Sequence, residues 1–254
     1  MAGMIPLAVD IQNLCFTYPG QNNQLFSDLN LSIAEGERFG LFGPNGAGKT
    51  TLMNLMTGLL SFEQGSIRLL GNEIKNKDKS INRIFGFVPQ DLSFYQELTP
   101  VENLAFFGAW SGLNSREIKL RTDELLAILG LEEVSNKPVE NFSGGMKRRI
   151  NLAIGVIHKP KILFLDEPTV GVDVQTRISI IHYLKELNRS GTTLIYTSHQ
   201  LSEAEGLCDK IALIDEGKII VHDDLKTLLS EHGQNGLEEL FLNFTGKKYR
   251  NEDV

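Results

Sequence analysis

The pattern of apolar and polar positions divides the chain into short strands near its beginning and a mixture of strands and helices further on. Apolar side chains at Val9, Ile11 and 14–16, followed by a Pro-Gly pair, predict a first strand and a turn. Residues 38–42 form a short apolar run that leads into a glycine-rich loop. Residues 50–60 then carry apolar side chains at helical spacing, so a helix is predicted directly after that loop.

The rest of the chain predicts strands and helices in alternation. In chain order they are strand 84–88, helices 101–110, 116–129 and 145–158, strand 162–165, helix 175–188, and strands 192–196 and 211–214. This alternation predicts an α/β fold with a parallel sheet and helices on both of its faces. The three helices between about residues 91 and 159 predict an insertion into that core.

Composition narrows the possible functions. The 254 residues include 25 Lys and Arg against 32 Asp and Glu, a formal net charge of −7 without a basic tract, which argues against nucleic acid as a partner. Cys15 and Cys208 form neither a disulfide framework nor a zinc motif, which favours a reducing cytosol. The sequence shows neither an apolar run long enough to span a bilayer nor a signal peptide, so we expect that this chain does not itself cross a membrane.

The glycine-rich loop carries the strongest chemical signal. It matches the P-loop pattern G-x-x-x-x-G-K-T in the residues Gly43, Pro44, Asn45, Gly46, Ala47, Gly48, Lys49 and Thr50. The glycines let the backbone curl so that N–H groups cradle phosphate, and the following helix presents its positive end to the same anion. We expect Lys49 to reach the β- and γ-phosphates, Thr50 to ligate Mg²⁺ and Thr51 to contact the α-phosphate.

Two carboxylates end the apolar strand at residues 162–165. Asp166 would lie at the tip of a buried strand, beside the P-loop in an open α/β sheet, where it can hold Mg²⁺ through water. Glu167 can then face the γ-phosphate and polarise the attacking water. The alternative is a strand that simply ends in surface acids.

The segment 142–146, Phe-Ser-Gly-Gly-Met, follows the P-loop and precedes Asp166. Alone it could be an ordinary turn capped by serine. In this order the chain resembles the nucleotide-binding subunits of ATP-binding cassette (ABC) transporters, whose signature is usually Leu-Ser-Gly-Gly-Gln. The resemblance implies that Ser143, Gly144 and Gly145 bind the γ-phosphate of ATP held by another subunit. It therefore implies a head-to-tail dimer, with itself or with a related ATPase subunit, that encloses two ATP molecules.

Four single residues match other positions of that family. The resemblance implies that Tyr18 stacks on adenine, that Gln90 contacts Mg²⁺ and the attacking water, that Asp173 crosses the dimer interface, and that His199 hydrogen-bonds the γ-phosphate and positions Glu167. Taken singly, the same residues could be a core aromatic, a loop glutamine, a surface acid and a structural histidine.

Two departures from the family pattern are mild, and the surroundings favour one branch. Met146 replaces the usual glutamine of the signature and Val170 the more common serine, and neither change removes a phosphate ligand. The segment Ser-Gly-Gly-Met-Lys-Arg-Arg and the tail at 237–246 resemble the ABC-2 type exporters. The basic residues 147–149 could instead be the solvated face of a helix.

The resemblance also implies a domain organisation. The fold class would be a P-loop NTPase (RecA-like) α/β core with a parallel sheet, an N-terminal antiparallel β subdomain and an inserted α-helical subdomain. The ATPase domain would span residues 1–222, with its core at about 1–90 and 160–222 and the helical subdomain at about 91–159. A short helical tail would occupy residues 223–254.

The membrane partner implied by the family would dock near Gln90. The segment 90–110 holds five aromatic residues, which suggest an apolar groove for a partner helix or, alternatively, the core of the helical block; they are Phe94, Tyr95, Phe106, Phe107 and Trp110. We expect an ATP- and Mg²⁺-dependent ATPase that is cytoplasmic and bound to the inner face of the cell membrane through integral-membrane permease subunits. Two alternatives stay open: a soluble ABC ATPase serving an assembly such as iron–sulfur cluster biogenesis, and a nucleotide-dependent regulatory protein with weak turnover.

Overall fold

A computed structural model describes residues 6–74, 79–198 and 200–246, with the side chains of 79 and 80 left aside. The strands and α-helices of these residues are β1 (Leu7–Phe16), β2 (Phe26–Ala34), β3 (Arg38–Phe42), α1 (Lys49–Met56), β4 (Gln64–Leu69), β5 (Asn72–Glu73), β6 (Phe85–Val88), α2 (Pro100–Trp110), α3 (Ser115–Ile128), α4 (Gly144–Val156), β7 (Ile162–Asp166), α5 (Val174–Arg189), β8 (Thr193–Thr197), α6 (Leu201–Leu207), β9 (Lys210–Asp215), β10 (Lys218–Asp224), α7 (Leu225–His232) and α8 (Leu237–Thr245).

The chain divides into two compact units. The first unit holds the described residues up to Ile81 together with those from Thr193 onward, and the second unit is Asn82–Thr192. The first unit therefore contains the predicted P-loop, whereas the second contains the Ser-Gly-Gly segment and the two carboxylates at the end of β7. The domain boundaries given above remain a prediction.

An antiparallel sheet in the order β2-β1-β4-β5 forms the N-terminal part of the first unit. Ile11 of β1 pairs with Leu31 of β2 and with Ile67 of β4, and all three side chains are buried. One face of this sheet thus lies on a core, as the alternation of apolar and polar residues in β2 predicts.

The P-loop strand of the first unit lies between two parallel neighbours. β3 pairs with β8 on one side, with Phe39 opposite Ile195, and with β9 on the other, with Gly40 opposite Ile211. β8 is buried along its whole length and β3 nearly so, which is why both appear in the sequence as unbroken apolar runs. β10 then pairs with β9 in the antiparallel sense.

The second unit combines a parallel strand pair with helices. β6 and β7 run parallel with Phe85 opposite Ile162. Helix α4 packs closely on β6, because a Cβ at Gly86 would lie 2.0 Å from the carbonyl oxygen of Gly155, and a Cβ at Gly155 would lie 2.6 Å from a Val88 methyl. These two glycines bring α4 against the strand that leads to Gln90.

The structure corrects some sequence-based boundaries. The helix predicted to reach residue 60 ends at Met56, since Gly58 has φ +72° and the chain leaves the helix there. Strands β4, β5 and β10 and helix α6 were not predicted from the pattern. None of the helices in the described ranges combines the length and apolar character that a bilayer span requires.

Candidate functional site

Two glycines of the P-loop in the first unit, Gly43 and Gly48, leave no room for a side chain. A Cβ at Gly43 would lie 2.0 Å from the carbonyl oxygen of Ile214 in β9. Gly48, which caps α1, has φ +107°, and a Cβ there would lie 2.7 Å from the ring of Phe26. The loop therefore curls tightly between β3 and α1, as a backbone cradle for phosphate requires.

Lys49 begins α1 and folds back over the loop that precedes it. Its Nζ donates hydrogen bonds to the carbonyl oxygens of Gly43, at 2.7 Å, and Pro44, at 3.1 Å, and the residue is buried. Thr50 beside it is exposed. A buried ammonium group thus lies over the backbone cradle, where it can meet an incoming phosphate.

The tip and the far side of the loop complete the candidate site in the first unit. Asn45 and Gly46 are exposed, whereas Ala47 is buried. The carbonyl of Ala47 accepts a hydrogen bond of 3.2 Å from the N–H of Gly217, which has φ +73°. Sequence reasoning missed Gly217, although a Glu-Gly pair between two apolar runs is a turn signal.

Tyr18 lies against the beginning of α1. Its hydroxyl is 2.7 Å from that of Thr51, and its ring makes an edge contact with Phe16 at a centroid distance of 4.9 Å. The side chain is half-buried. Its ring is partly open to a ligand next to the P-loop helix.

Two carboxylates at the end of β7 form the centre of the candidate site in the second unit. Asp166 is 1% exposed and Glu167 is 4% exposed, so the alternative of a strand ending in surface acids is wrong. Glu167 adopts φ +52°, a backbone conformation that residues other than glycine rarely occupy. The side-chain amide of Gln90 donates a hydrogen bond of 3.1 Å to Oε2 of Glu167. The structure thus joins two residues that the sequence indicated separately.

Arg148 extends this cluster. One guanidinium nitrogen donates to the carbonyl oxygen of Gln90 at 2.8 Å, and another to that of Val170 at 3.4 Å. Burial lowers the pKa of Arg148, while the negative charges of Glu167 and Asp91 act in the opposite direction. The residue is 8% exposed, so the alternative of a solvated basic face is wrong at this position.

The Ser-Gly-Gly segment begins α4 as the sequence predicts. Ser143 is the N-cap and its hydroxyl accepts a hydrogen bond from the N–H of Met146 at 3.3 Å. Ser143 and Gly144 are exposed, and a Cβ at Gly145 would lie 3.5 Å from Oδ2 of Asp173. The first turn of α4 is therefore open to solvent, where an anion can approach its N–H groups.

Asp173 caps the next helix of the second unit. Its carboxylate accepts hydrogen bonds from the N–H and the hydroxyl of Thr176, at 2.9 Å and 2.7 Å. The pKa of Asp173 is lowered, first by the backbone bond from Thr176 and then by the hydroxyl bond. The acid is exposed but firmly oriented at the start of α5.

The aromatic residues of segment 90–110 form a partly exposed cluster. Tyr95 and Phe106 make an edge contact at 5.0 Å between ring centroids, and Phe106 and Phe107 another at 5.2 Å. Trp110 is 69% exposed. The buried side chain of Asn103 fixes the turn before α2 through hydrogen bonds to both the N–H and the carbonyl of Tyr95. The interpretation as a fully buried core is wrong for the exposed members.

His199 lies outside the described residues. Within the parts of the chain that the structure describes, no group of three or more His, Cys, Asp and Glu side chains is suited to hold a metal. Magnesium sites at nucleotides need less than this, since one or two carboxylates, a hydroxyl and the phosphates themselves supply the ligands.

Comparisons with known proteins agree with this geometry. The family model described as ABC transporter matches residues 26–170. The linearmycin resistance ATP-binding protein LnrL of Bacillus subtilis (strain 168) is 43% identical over 212 residues, which cover 84% of this chain and 68% of that protein. The Nod factor export ATP-binding protein I of Sinorhizobium fredii (strain NBRC 101917 / NGR234) is 37% identical over 225 residues, which cover 89% of this chain and 65% of that protein.

Solved structures give the same result for the fold. An ATP binding subunit of an ABC transporter superposes with a TM-score of 0.86 at 26% identity, covering 94% of this chain and 99% of that one. A dimeric ATP-binding cassette in a post-hydrolysis state, bound to ADP and Pi, superposes with a TM-score of 0.77 at 26% identity, covering 85% and 98%.

Fold and site together define a P-loop nucleotide-binding protein. The chain belongs to the ABC transporter family. The predicted fold class and the predicted ATPase activity are confirmed at the level of this family.

Proposed function

We propose that this chain is the ATP-hydrolysing subunit of an exporter of the ABC-2 type. The P-loop carries the proposal, because Gly43 and Gly48 leave space only for backbone and Lys49 lies folded over the cradle. Two relatives support the direction of transport, since one is named for linearmycin resistance and the other for Nod factor export. Neither name favours the alternative role in iron–sulfur cluster biogenesis.

In the first unit, backbone N–H groups of residues 43–50 would hold the phosphates of ATP. Lys49 would exchange its bonds to the loop carbonyls for bonds to the β- and γ-phosphates, a stronger charge-assisted pairing. Thr51 would contact the α-phosphate. Tyr18 would stack on adenine, for which its half-buried ring and its bond to Thr51 provide a fixed position.

In the second unit, Glu167 would orient and polarise the attacking water. Its buried carboxylate is already held by the amide of Gln90, so little reorganisation is needed during reaction. Mg²⁺ would be held by Thr50, Gln90 and Asp166, whose hydroxyl, amide and carboxylate oxygens are the donors that this ion prefers. When bound, the ion would neutralise charge that develops on the phosphoryl oxygens.

Two copies, or this chain and a related subunit, would close head to tail around two ATP molecules. The exposed start of α4, with Ser143, Gly144 and Gly145, would bind the γ-phosphate of ATP held by the partner. Asp173 would lie at the interface, and His199 would contact the γ-phosphate. Closure on ATP and reopening after hydrolysis then form a two-state cycle driven by a ligand.

The permease would receive this motion at the aromatic residues of segment 90–110. Such docking would hold the chain at the cytoplasmic face of the cell membrane. Exposed apolar surface is present at Tyr95, Phe106 and Trp110, which follow Gln90 within the same segment. Polar substitution of exposed Tyr95 and Phe106 should abolish stimulation of ATPase activity by the permease. Unchanged stimulation would refute the proposal that the permease docks at these residues.

Two substitutions test the catalytic assignment together. Glu167→Gln should keep ATP binding, lower hydrolysis on the order of 100-fold or more and trap an ATP-bound dimer, because the amide cannot polarise water as a carboxylate does. Lys49→Ala should weaken nucleotide binding or turnover through loss of the charge over the cradle.

Binding of a fluorescent ATP analogue, phosphate release and size-exclusion chromatography measure these effects. Near-normal turnover of Glu167→Gln would refute its role as the base, and unchanged ATPase activity of Lys49→Ala would refute the phosphate site.

A further inference from the structure

Helix α4 holds the backbone before the aromatic cluster at two consecutive carbonyls. Asn151 donates to the carbonyl oxygen of Pro89 at 3.1 Å, and Arg148, one turn earlier, donates to that of Gln90 at 2.8 Å. The N–H of Ser93 in turn donates a hydrogen bond of 3.4 Å to the side-chain oxygen Oδ1 of Asn151. The helix that begins with the exposed Ser-Gly-Gly segment is thus tied directly to the backbone that carries Gln90.

Arg148 also reaches the loop between β7 and α5. A second nitrogen of its guanidinium donates to the carbonyl oxygen of Val170 at 3.4 Å. Arginine can serve two acceptors at once because its donors are spread over a rigid planar fork, whereas the ammonium of lysine is a single point. The positive charge also lies where the carboxylates of Glu167 and Asp91 act on it.

We propose that Arg148 is a positioning residue for ATP hydrolysis, which fixes the backbone at Gln90 and at Val170 so that the Gln90 amide meets Glu167. The proposal rests on the proposed role of Glu167 in catalysis. Arg148 touches neither nucleotide nor water in this role. Arg148 affects turnover by holding in place the hydrogen bond of 3.1 Å from the Gln90 amide to Glu167. Misplacement of a catalytic group by about 1 Å can lower a rate by about 100-fold.

The chain offers a matched control in the same unit. Arg121 is also 8% exposed and also donates to two backbone carbonyls, those of Ile157 at 3.1 Å and Val156 at 3.0 Å, but at the opposite end of α4. Replacing Arg121 by lysine or glutamine removes a buried fork that joins α3 to the C-terminal end of α4. The same replacement of Arg148 removes a buried fork that belongs to α4 itself. Only the Arg148 variants disturb the backbone at Gln90.

The experiment compares steady-state ATPase kinetics and thermal unfolding of Arg148→Lys, Arg148→Gln, Arg121→Lys and Arg121→Gln in the full chain. We expect similar losses of thermal stability for the two lysine variants. For Arg148→Lys, kcat should fall about tenfold with KM for ATP within about twofold, since the P-loop is unchanged. Arg121→Lys should keep kcat. Equal kcat losses at both sites, or an unchanged kcat in Arg148→Lys, would overturn the proposal.

A double-mutant cycle separates positioning from general stability. In a Gln90→Ala background the amide that Arg148 positions is gone, so Arg148→Lys should lower kcat by less than threefold further. A full tenfold additional loss would contradict action through Gln90. Glu167→Gln run alongside distinguishes the two hypotheses: if it keeps turnover, the role of Glu167 is wrong, whereas if it loses turnover and Arg148→Lys does not, only the positioning role is wrong.

Discussion

The candidate sites of the two units are built from different parts of the polypeptide. In the first unit the phosphate cradle consists mainly of backbone, with glycines where a Cβ would collide and one lysine folded over the loop. In the second unit, Gln90, Arg148 and Glu167 form a network of side chains and of carbonyl oxygens from separate loops. Binding of phosphate therefore depends on local chain geometry, whereas the chemistry of water depends on long-range packing.

This difference has a consequence for where substitutions should be harmful. A backbone cradle is sensitive to the addition of atoms, because its donors are present in every residue and only space is scarce. A side-chain network is sensitive to the loss of atoms, because each bond needs a particular group at a particular place. The following predictions separate the two behaviours, in order of expected effect.

The largest effect should come from adding one methyl group to the cradle. Gly43→Ala would place a Cβ 2.0 Å from the carbonyl oxygen of Ile214, so the loop must move away from β9. We expect a loss of stability on the order of 3 kcal/mol, together with loss of ATP binding. Urea denaturation without nucleotide and a binding titration with ATP measure the two effects.

Gly46→Ala is the control within the same loop. Its φ of +80° disfavours alanine by about 1 kcal/mol, but nothing lies within 4 Å of the added atom. If Gly43→Ala were no more destabilising than Gly46→Ala, space would not be what limits the cradle.

An intermediate effect should follow from removing the ring of Tyr18. Tyr18→Ala should weaken ATP binding about tenfold, because stacking of an aromatic ring on a base contributes about 1–3 kcal/mol. Tyr18→Phe keeps the ring and loses only the hydroxyl bond to Thr51, so its stability should fall by about 1 kcal/mol with little change in affinity. Isothermal titration with ATP measures the affinity of each variant. Equal affinities of Tyr18→Ala and Tyr18→Phe would exclude stacking of the ring on adenine.

The smallest effect concerns pH and His158 of the second unit. Its Nε2 donates to the carbonyl of Phe85 at 2.9 Å, and burial lowers the pKa of the imidazole. The unfolded chain then binds the proton more readily, so the contribution of His158 is complete above about pH 6.5 and is lost as pH falls, by at most about 1.4 kcal/mol per pH unit. Urea denaturation at a series of pH values measures this loss.

His158→Gln should flatten the decline in stability below about pH 6.5, since glutamine can still donate to Phe85 but does not titrate there. His222 of the first unit has its pKa lowered by burial as well, next to Lys210. The change that His222→Gln causes in the pH dependence of stability therefore measures how much this histidine of the first unit contributes to the loss of stability at acid pH. If stability declined with falling pH in both histidine variants as it does in the unaltered chain, the acid sensitivity would belong to other groups.

The features that the sequence predicted best are local. The glycine-rich loop and the Ser143 cap each depend on a few adjacent residues, and their geometry follows from residue type. The buried strand ending in Asp166 was predictable for the same reason.

The rest depends on contacts between distant residues. Arg148 stands in a run of three basic residues, and nothing in that run indicates that its partners are the carbonyls of Gln90 and Val170. Gly217 was missed because its partner Ala47 is remote in sequence. Strand β10 was missed because its apolar run, 219–221, is only three residues long and is flanked by Lys218 and the polar residues 222–224.

The contacts of Arg148 also bear on how these loops can change during evolution. Its two acceptors are main-chain oxygens, which every residue possesses, so the anchor does not depend on which side chain stands at position 170. Val170 can therefore occupy a place where serine is more common in the family and still be held by the same guanidinium. At a position such as 170, where only the main-chain oxygen is held, different side chains are compatible with the same anchor, whereas the anchor itself requires the guanidinium of Arg148.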